Sequence, residues 1–189
     1  MISFEKYHPL LSTHYTLDWL TNSNLKAVHE LRANTQQAEL SGRKTDPDIP
    51  ATAHYINQSM RLVMKNQALL YGITDRATKQ FVGSICLWQF DADFTRAQLR
   101  LEVADAKLAE ALYQEIIPRV VGFSFFELGL SQLTMIVPEH AELKQWLAAN
   151  HFQNQPYPHT RKLANGQKVA LLAMTLDREA VVDDPAYRF

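Results

Sequence analysis

101-LEVADAKLAEAL-112 is where a strand pattern turns into a helix pattern with no glycine between them. Immediately before the switch, 97-AQLRLEV-103 alternates, with Leu99, Leu101 and Val103 on one face and Arg100 and Glu102 on the other. After it, Leu108, Leu112, Ile116, Val120 and Phe123 form one stripe over residues 105–127, and Gly129 supplies a stop before the strand-like LSQLTMIV. These segments predict a strand, a crossover helix and a second strand. Pro118 lies inside the helix and has no N–H to donate, which predicts a bend after Ile117.

Towards the N-terminus, 68-ALLYGITD-75 and 80-QFVGSICLWQF-90 are rich in β-branched and aromatic residues and are joined by a polar turn at 75–78. With 97–103 they predict an antiparallel meander. Two helical runs come earlier. NLKAVHELRANTQQAEL repeats Leu25, Val28 and Leu31 at helical spacing, and a second run repeats Ile56, Met60 and Val63 beyond the breaker SGRKTDPDIP. At the start, 15-YTLDWL-20 alternates like a short strand. Towards the C-terminus, Leu143, Trp146 and Leu147 mark a short helix, and HFQNQPY and KVALLAMTL flank a turn at 164–166. Residues 178–189 read as a peripheral tail. With no internal repeat and no low-complexity linker, the chain is expected to form one domain over 1–189.

Composition narrows the function classes. The chain has 189 residues, 47% of them hydrophobic and 21% charged, which suits a substantial buried core. A formal charge of -1, with basic residues dispersed rather than blocked, argues against a nucleic-acid partner. No window approaches the roughly 18 apolar residues of a spanning helix, and MISFEKYHPLLSTHY has no long apolar run, so the expectation is a cytoplasmic protein with no membrane partner. The only cysteine, Cys86, excludes an internal disulfide and reads as a small core hydrophobe. His8, His14, His29 and His54 are too scattered for a metal motif, and no nucleophile elbow or Walker loop is present.

The order of elements, together with 137-VPEHAELKQWLAANHF-152, resembles the GNAT-type N-acyltransferases. The resemblance is greatest to the branch of the ribosomal-protein N-terminal acetyltransferases, in which V-x-P-x-N is followed by a helix and then L-G-F. It covers nearly the whole chain. It implies an α/β fold with a mixed, mostly antiparallel sheet of about six or seven strands flanked by about four helices. It also implies an acetyl-CoA-dependent N-acetyltransferase acting on a primary amine, either a protein N-terminus or a small amine, as a monomer or homodimer.

In that family the crossover helix begins with a Q/R-x-x-G-x-G/A loop whose backbone N–H groups hold the pyrophosphate of acyl-CoA. The corresponding residues are Val103, Ala104, Asp105, Ala106, Lys107 and Leu108, with alanines in place of glycine and a shortened connection. Leu101, Val103, Ala104, Ala106, Lys107 and Leu108 are therefore the residues the resemblance assigns to acetyl-CoA. Asp105 at the start of the helix reads as an N-cap whose charge opposes an incoming pyrophosphate, and Lys107 offsets it. The family asparagine is His140, the glycine of L-G-F is His151, and Leu147 stands where other branches carry a tyrosine acid. Asn150 is the expected left-handed cap of the preceding helix.

Two candidates remain for removing the proton from the amine. Glu102 lies on the strand before the loop, and alternation places it beside Arg100 as an exposed ion pair. His140, between strand and helix, has an intrinsic affinity for protons suited to transfer near neutrality. The alternative is a catalytically degenerate GNAT-fold binding or regulatory module that no longer uses acetyl-CoA. Intact strand donors at 101–103 favour the enzyme, and a groove filled by Lys107 or Leu108 favours the module.

Overall fold

The computed structural model describes residues 2–189, which carry eight strands in the order β1-β2-β3-β4-β5-β6-β8-β7 and five α-helices. The strands are β1 (Leu10–Leu11), β2 (Tyr15–Trp19), β3 (Leu69–Asp75), β4 (Phe81–Trp88), β5 (Arg96–Val103), β6 (Gln132–Pro138), β7 (Gln153–Lys162) and β8 (Lys168–Asp177). The helices are α1 (Leu25–Arg32), α2 (Thr35–Ser41), α3 (Ile49–Met64), α4 (Ala109–Gly122) and α5 (Leu143–Ala149). The mixed α/β class predicted from the sequence is observed, with slightly more strands than expected because the two-residue β1 carries no alternation to read.

The chain divides into two compact units, one formed by the residues up to Trp88 with Arg100–Ala109, the other by Gln89–Leu99 with Glu110–Phe189. In the first unit, β2 pairs antiparallel with β3 from Tyr15↔Asp75 to Trp19↔Tyr71, and β3 pairs antiparallel with β4 across a bulge at Ile73/Thr74. Leu17, Leu69, Ile73, Leu87 and Leu101 are buried, and Leu20, Val28, Ile56, Ala68 and Leu70 form a cluster packed by Tyr55, Phe81, Cys86 and Trp88.

The helical run 24–40 is broken in two where the sequence periodicity suggested one helix. Asn34 is the reason. Its side chain accepts from Gln37 N–H at 3.0 Å and caps α2, as Asn24 caps α1 through Ala27 N–H. α2 ends in left-handed Gly42 (φ 68°), and Asp48 caps α3 through Ala51 N–H with Pro50 in its first turn.

In the second unit, β5 pairs parallel with β6 at Arg96↔Gln132, Ala97↔Leu133 and Gln98↔Thr134, and β8 pairs antiparallel with both β6 and β7. Leu112, Ile116, Ile117, Val120 and Val121 of α4 are buried, as are Phe123 and Phe125. Pro118 sits inside α4, which continues to Gly122 and then widens into a π-turn over Phe123–Glu127. The C-terminal segment buries Val181 and Tyr187, and Tyr187 donates its hydroxyl to Asn150 Oδ1 at 2.9 Å. A β-carbon on Gly122 would fall within the van der Waals shell of the Tyr187 carbonyl oxygen, so the close approach of this segment to α4 requires glycine there.

At the end of α5 the left-handed residue is His151 (φ 67°), not Asn150, whose φ is -100°. Asn150 instead donates its side-chain amide to Trp146 O. His151 thus adopts the conformation that glycine would supply at this position, and histidine is among the residues that tolerate it.

Candidate functional site

β5 presents Arg100 and Glu102 on one face, as the alternation predicts, but the ion pair is neither exposed nor between those two residues. Glu102 is buried and paired with Arg43, which follows the left-handed cap of α2. Arg43 Nε lies 2.9 and 3.1 Å from the two Glu102 oxygens and Nη2 donates to Oε1. The remaining donors go to the backbone carbonyls of Leu31, Arg32 and Lys44. All five guanidinium N–H groups are used. Burial opposes the charge on Arg43, but the hydrogen bond and negative charge of Glu102 outweigh it and hold the proton more firmly than usual.

A second ion pair stands beside the first. Arg32 meets Asp46 through Nε at 2.6 Å and Nη2 at 3.0 Å, while its guanidinium lies 3.4 Å from the centroid of the Tyr55 ring. Thr52 donates to Asp46 at 2.7 Å and is itself 2.8 Å from His29 Nδ1. Burial works against ionisation of Asp46, but hydrogen bonds from Arg32 and Thr52 and the charges of Arg32 and Arg43 prevail, holding the carboxyl below its ordinary range.

These groups border a cavity of about 80 Å³ whose polar lining is Arg32, Arg43, Tyr55, Ser84, Arg100 and Glu102. Since one water needs about 10–15 Å³, the space suits a group of several heavy atoms. The Arg100 side chain makes no hydrogen bond or ion pair among the described residues. Its guanidinium stacks 4.0 Å from the centroid of the Trp88 ring, whose buried indole N–H also has no partner. Burial pushes the Tyr55 phenol well above its ordinary range and the Cys86 thiol up to about 12, so both remain protonated. Cys86 is therefore a half-buried thiol at the cavity wall, not a nucleophile.

The connection leading from β5 into α4 spends most of its backbone donors internally. Ala104 N–H closes on Val82 O at 2.9 Å, Lys107 N–H is taken by the Asp105 side chain at 2.9 Å, and Leu108 N–H by Asp105 O at 2.9 Å. Asp105 is the N-cap of a 3-10 turn over Ala106–Leu108. Val103 N–H is occupied by Gln37 Oε1 at 3.0 Å. Leu101 and Val103 have buried side chains, whereas Ala104, Ala106, Lys107 and Leu108 are exposed. Among the described residues, the N–H groups of Asp105 and Ala106 have no partner. With the exposed Lys107 ammonium they make a donor set of the kind an anionic group such as a phosphate would accept from, and the Asp105 carboxylate opposes it; the side chains of Lys107 and Leu108 are exposed and fill no groove here. His140 is exposed on the turn after β6, where Ala141 N–H bonds Pro138 O.

Comparison with known proteins bears on the fold. The chain is 24% identical over 130 residues to an uncharacterized N-acetyltransferase, YoaA, of Bacillus subtilis, covering 68% of this chain and 73% of that protein. The crystal structure of spermidine N-acetyltransferase from Vibrio cholerae, in complex with CoA and spermine, superposes with a TM-score of 0.79 at 16% identity, covering 91% of this chain and all of the other. The fold is that of the GNAT acetyltransferases. A Bacillus anthracis acetyltransferase of the GNAT family superposes with a TM-score of 0.70 at 10% identity over 90% of this chain and 99% of that one. A Vibrio cholerae protein assigned as a ribosomal-protein-serine acetyltransferase gives 0.71 at 17% identity, over 93% and 99% respectively. No family model matches the sequence.

The GNAT likeness was legible in the element order and the 137–152 segment. The roles of Arg43 and Arg32 were not, because Arg43 sits in a stretch that reads only as a polar breaker and its partner is 59 residues away.

Proposed function

We propose that the protein is a GNAT-type N-acetyltransferase that acetylates a primary amine directly from acetyl-CoA. The observation that carries this reading is local to β5 and the turn after it. A buried carboxylate, Glu102, borders a cavity three residues before the first of two adjacent backbone N–H groups without partners. Acetyl-CoA supplies the acyl group as a thioester and departs as the thiol; Asp105 N–H, Ala106 N–H and Lys107 are the groups that would hold a phosphate of it, with Leu101, Val103, Ala104 and Leu108 alongside. Glu102 retains lone pairs beyond those given to Arg43 and accepts the proton that an ammonium must lose before its nitrogen attacks. Arg43 fixes the direction of that carboxylate. His140, freely exposed, is the second candidate for the same proton.

One observation favours the alternative of a binding module that no longer uses acetyl-CoA. Gln37 occupies Val103 N–H, a strand donor the enzyme reading would leave for the cofactor or the oxyanion. Calorimetry with acetyl-CoA and CoA decides between the two. Micromolar binding, followed by thiol release with an amine present and its loss in Glu102→Gln, is the expected result. No binding at millimolar ligand overturns the acetyltransferase reading.

A further inference from the structure

The cavity beside Glu102 is unevenly charged. Three arginines face it, Arg43 is neutralised by Glu102, and Arg32 is backed by Asp46, so one positive charge has no counterpart. That charge is Arg100. Its five N–H donors are unused among the described residues, and stacking on Trp88 fixes the guanidinium while leaving those donors free. Around it, the Tyr55 and Ser84 hydroxyls line the same space and have no hydrogen-bond partner among the described residues. The Tyr55 phenol stays protonated because burial opposes its ionisation. The wall is thus rich in donors, and its one carboxylate already accepts three close contacts from Arg43.

We propose that this cavity takes an anionic group, a carboxylate or phosphate carried next to the acceptor's primary amine, with Arg100 as its principal partner and Tyr55 and Ser84 as supporting donors. This inference rests on the reading that Glu102 receives the amine's proton. The anionic group meets Arg100, whose charge has no counterpart in the wall, while the ammonium shares Glu102 with Arg43 until it gives up its proton, and a cavity of about 80 Å³ suits such a short zwitterionic head. A polyamine, all of whose charges are positive, would bring a cation against Arg100 with no second carboxylate in the cavity wall to compensate. The acceptor class assigned to this protein is therefore small amino acids or amino-phosphates, not polyamines.

The test compares L-aspartate, O-phosphoethanolamine and spermidine as acceptors in a thiol-release assay, and as ligands in calorimetry without acetyl-CoA. A charge-assisted pair of this kind is worth roughly tenfold or more in binding, so one of the anionic amines should exceed spermidine in kcat/KM by at least about tenfold. Which of the two is preferred identifies carboxylate or phosphate as the group recognised. Arg100→Gln should raise KM for the preferred amine by a similar factor with kcat nearly unchanged, and Arg100→Lys should retain part of the preference. Tyr55→Phe, which removes only a hydroxyl, provides a milder variant of the same cavity. Equal or better use of spermidine, or a KM indifferent to Arg100→Gln, overturns the inference while leaving the acetyltransferase reading in place. If no amine is acetylated, the calorimetry still decides. Binding of aspartate or phosphoethanolamine that Arg100→Gln abolishes upholds the anionic site without the enzyme, and no binding of either by the native protein overturns the site.

Discussion

Replacing Arg43 with alanine tests the structural core of the site. The side chains of Arg43 and Glu102 are each 8% exposed, and the guanidinium reaches the carboxylate and three backbone carbonyls at once. Truncation leaves Glu102 as a buried charge without its partner and the carbonyls at the end of α1 without their donor. Breaking a buried pair in this way costs about 3–5 kcal/mol. For a chain of this size each kcal/mol moves the midpoint by about 2–4 °C, so Arg43→Ala should melt roughly 6–20 °C below the native protein. Urea unfolding followed by circular dichroism reads the same quantity. The double variant Arg43→Met/Glu102→Leu removes both charges and should recover most of the loss, because apolar replacement of a buried pair is often neutral. An Arg43→Ala protein within about 1 kcal/mol of native stability would refute the reasoning.

Other expectations follow from separate parts of the molecule. Asp46, whose carboxyl is held below its ordinary range in the folded state, contributes stability above its unfolded pKa of about 4 that disappears as pH falls through the lower folded value. Asp46→Asn should therefore be less stable than native at pH 7, and the gap should close on acidification below about pH 4, as read by unfolding midpoints across that range. Cys86, pushed up to about 12, should resist alkylation at pH 8 in the native protein and react once urea unfolds it; mass spectrometry after iodoacetamide distinguishes the two. Gly122→Ala should force the 181–189 segment off α4 at a cost of about 1–3 kcal/mol, detected as faster tryptic cleavage at Arg188 and a lower melting midpoint. Asp105→Asn keeps the oxygen that caps Lys107 N–H while removing an opposing charge, and should tighten CoA binding by about two- to fivefold in calorimetry.

The regular parts of the fold were legible because their burial follows the period of the sequence. Leu112, Ile116 and Val120 fall on the buried side of α4, and Leu99, Leu101 and Val103 on the buried side of β5. Asn34 shows the limit of periodicity. Leu25, Val28 and Leu31 fit one helix, yet a side chain that captures Gln37 N–H ends it and starts another. A different limit shows at the end of α5, where the family resemblance put the left-handed cap at Asn150 and the structure gives it to His151. The site was legible only on one strand. Alternation placed Glu102 with Arg100, but ion pairing is decided in three dimensions, and the partner arrived from a loop whose composition carried no signal beyond polarity. Of the turn residues, Asp105 was read correctly as a cap, because that role is set within three residues of sequence.

Gln37 and Arg43 also determine when this part of the molecule can acquire its shape. α1 and α2, of 8 and 7 residues, fall well short of the roughly 12–15 that an isolated helix needs to persist in water. Their anchors, Val103 and Glu102, are synthesised 66 and 59 residues later. α1 can lean earlier on α3 and the residues just before it, through Arg32–Asp46 and His29–Thr52, but the contacts of Gln37 and Arg43 with β5 can form only once residues 102 and 103 have been made. In the mature protein the same coupling should make the backbone amides of 35–41 exchange with deuterium in step with those of 100–103, and exchange of 35–41 much faster than that of β5 would show the two to be uncoupled.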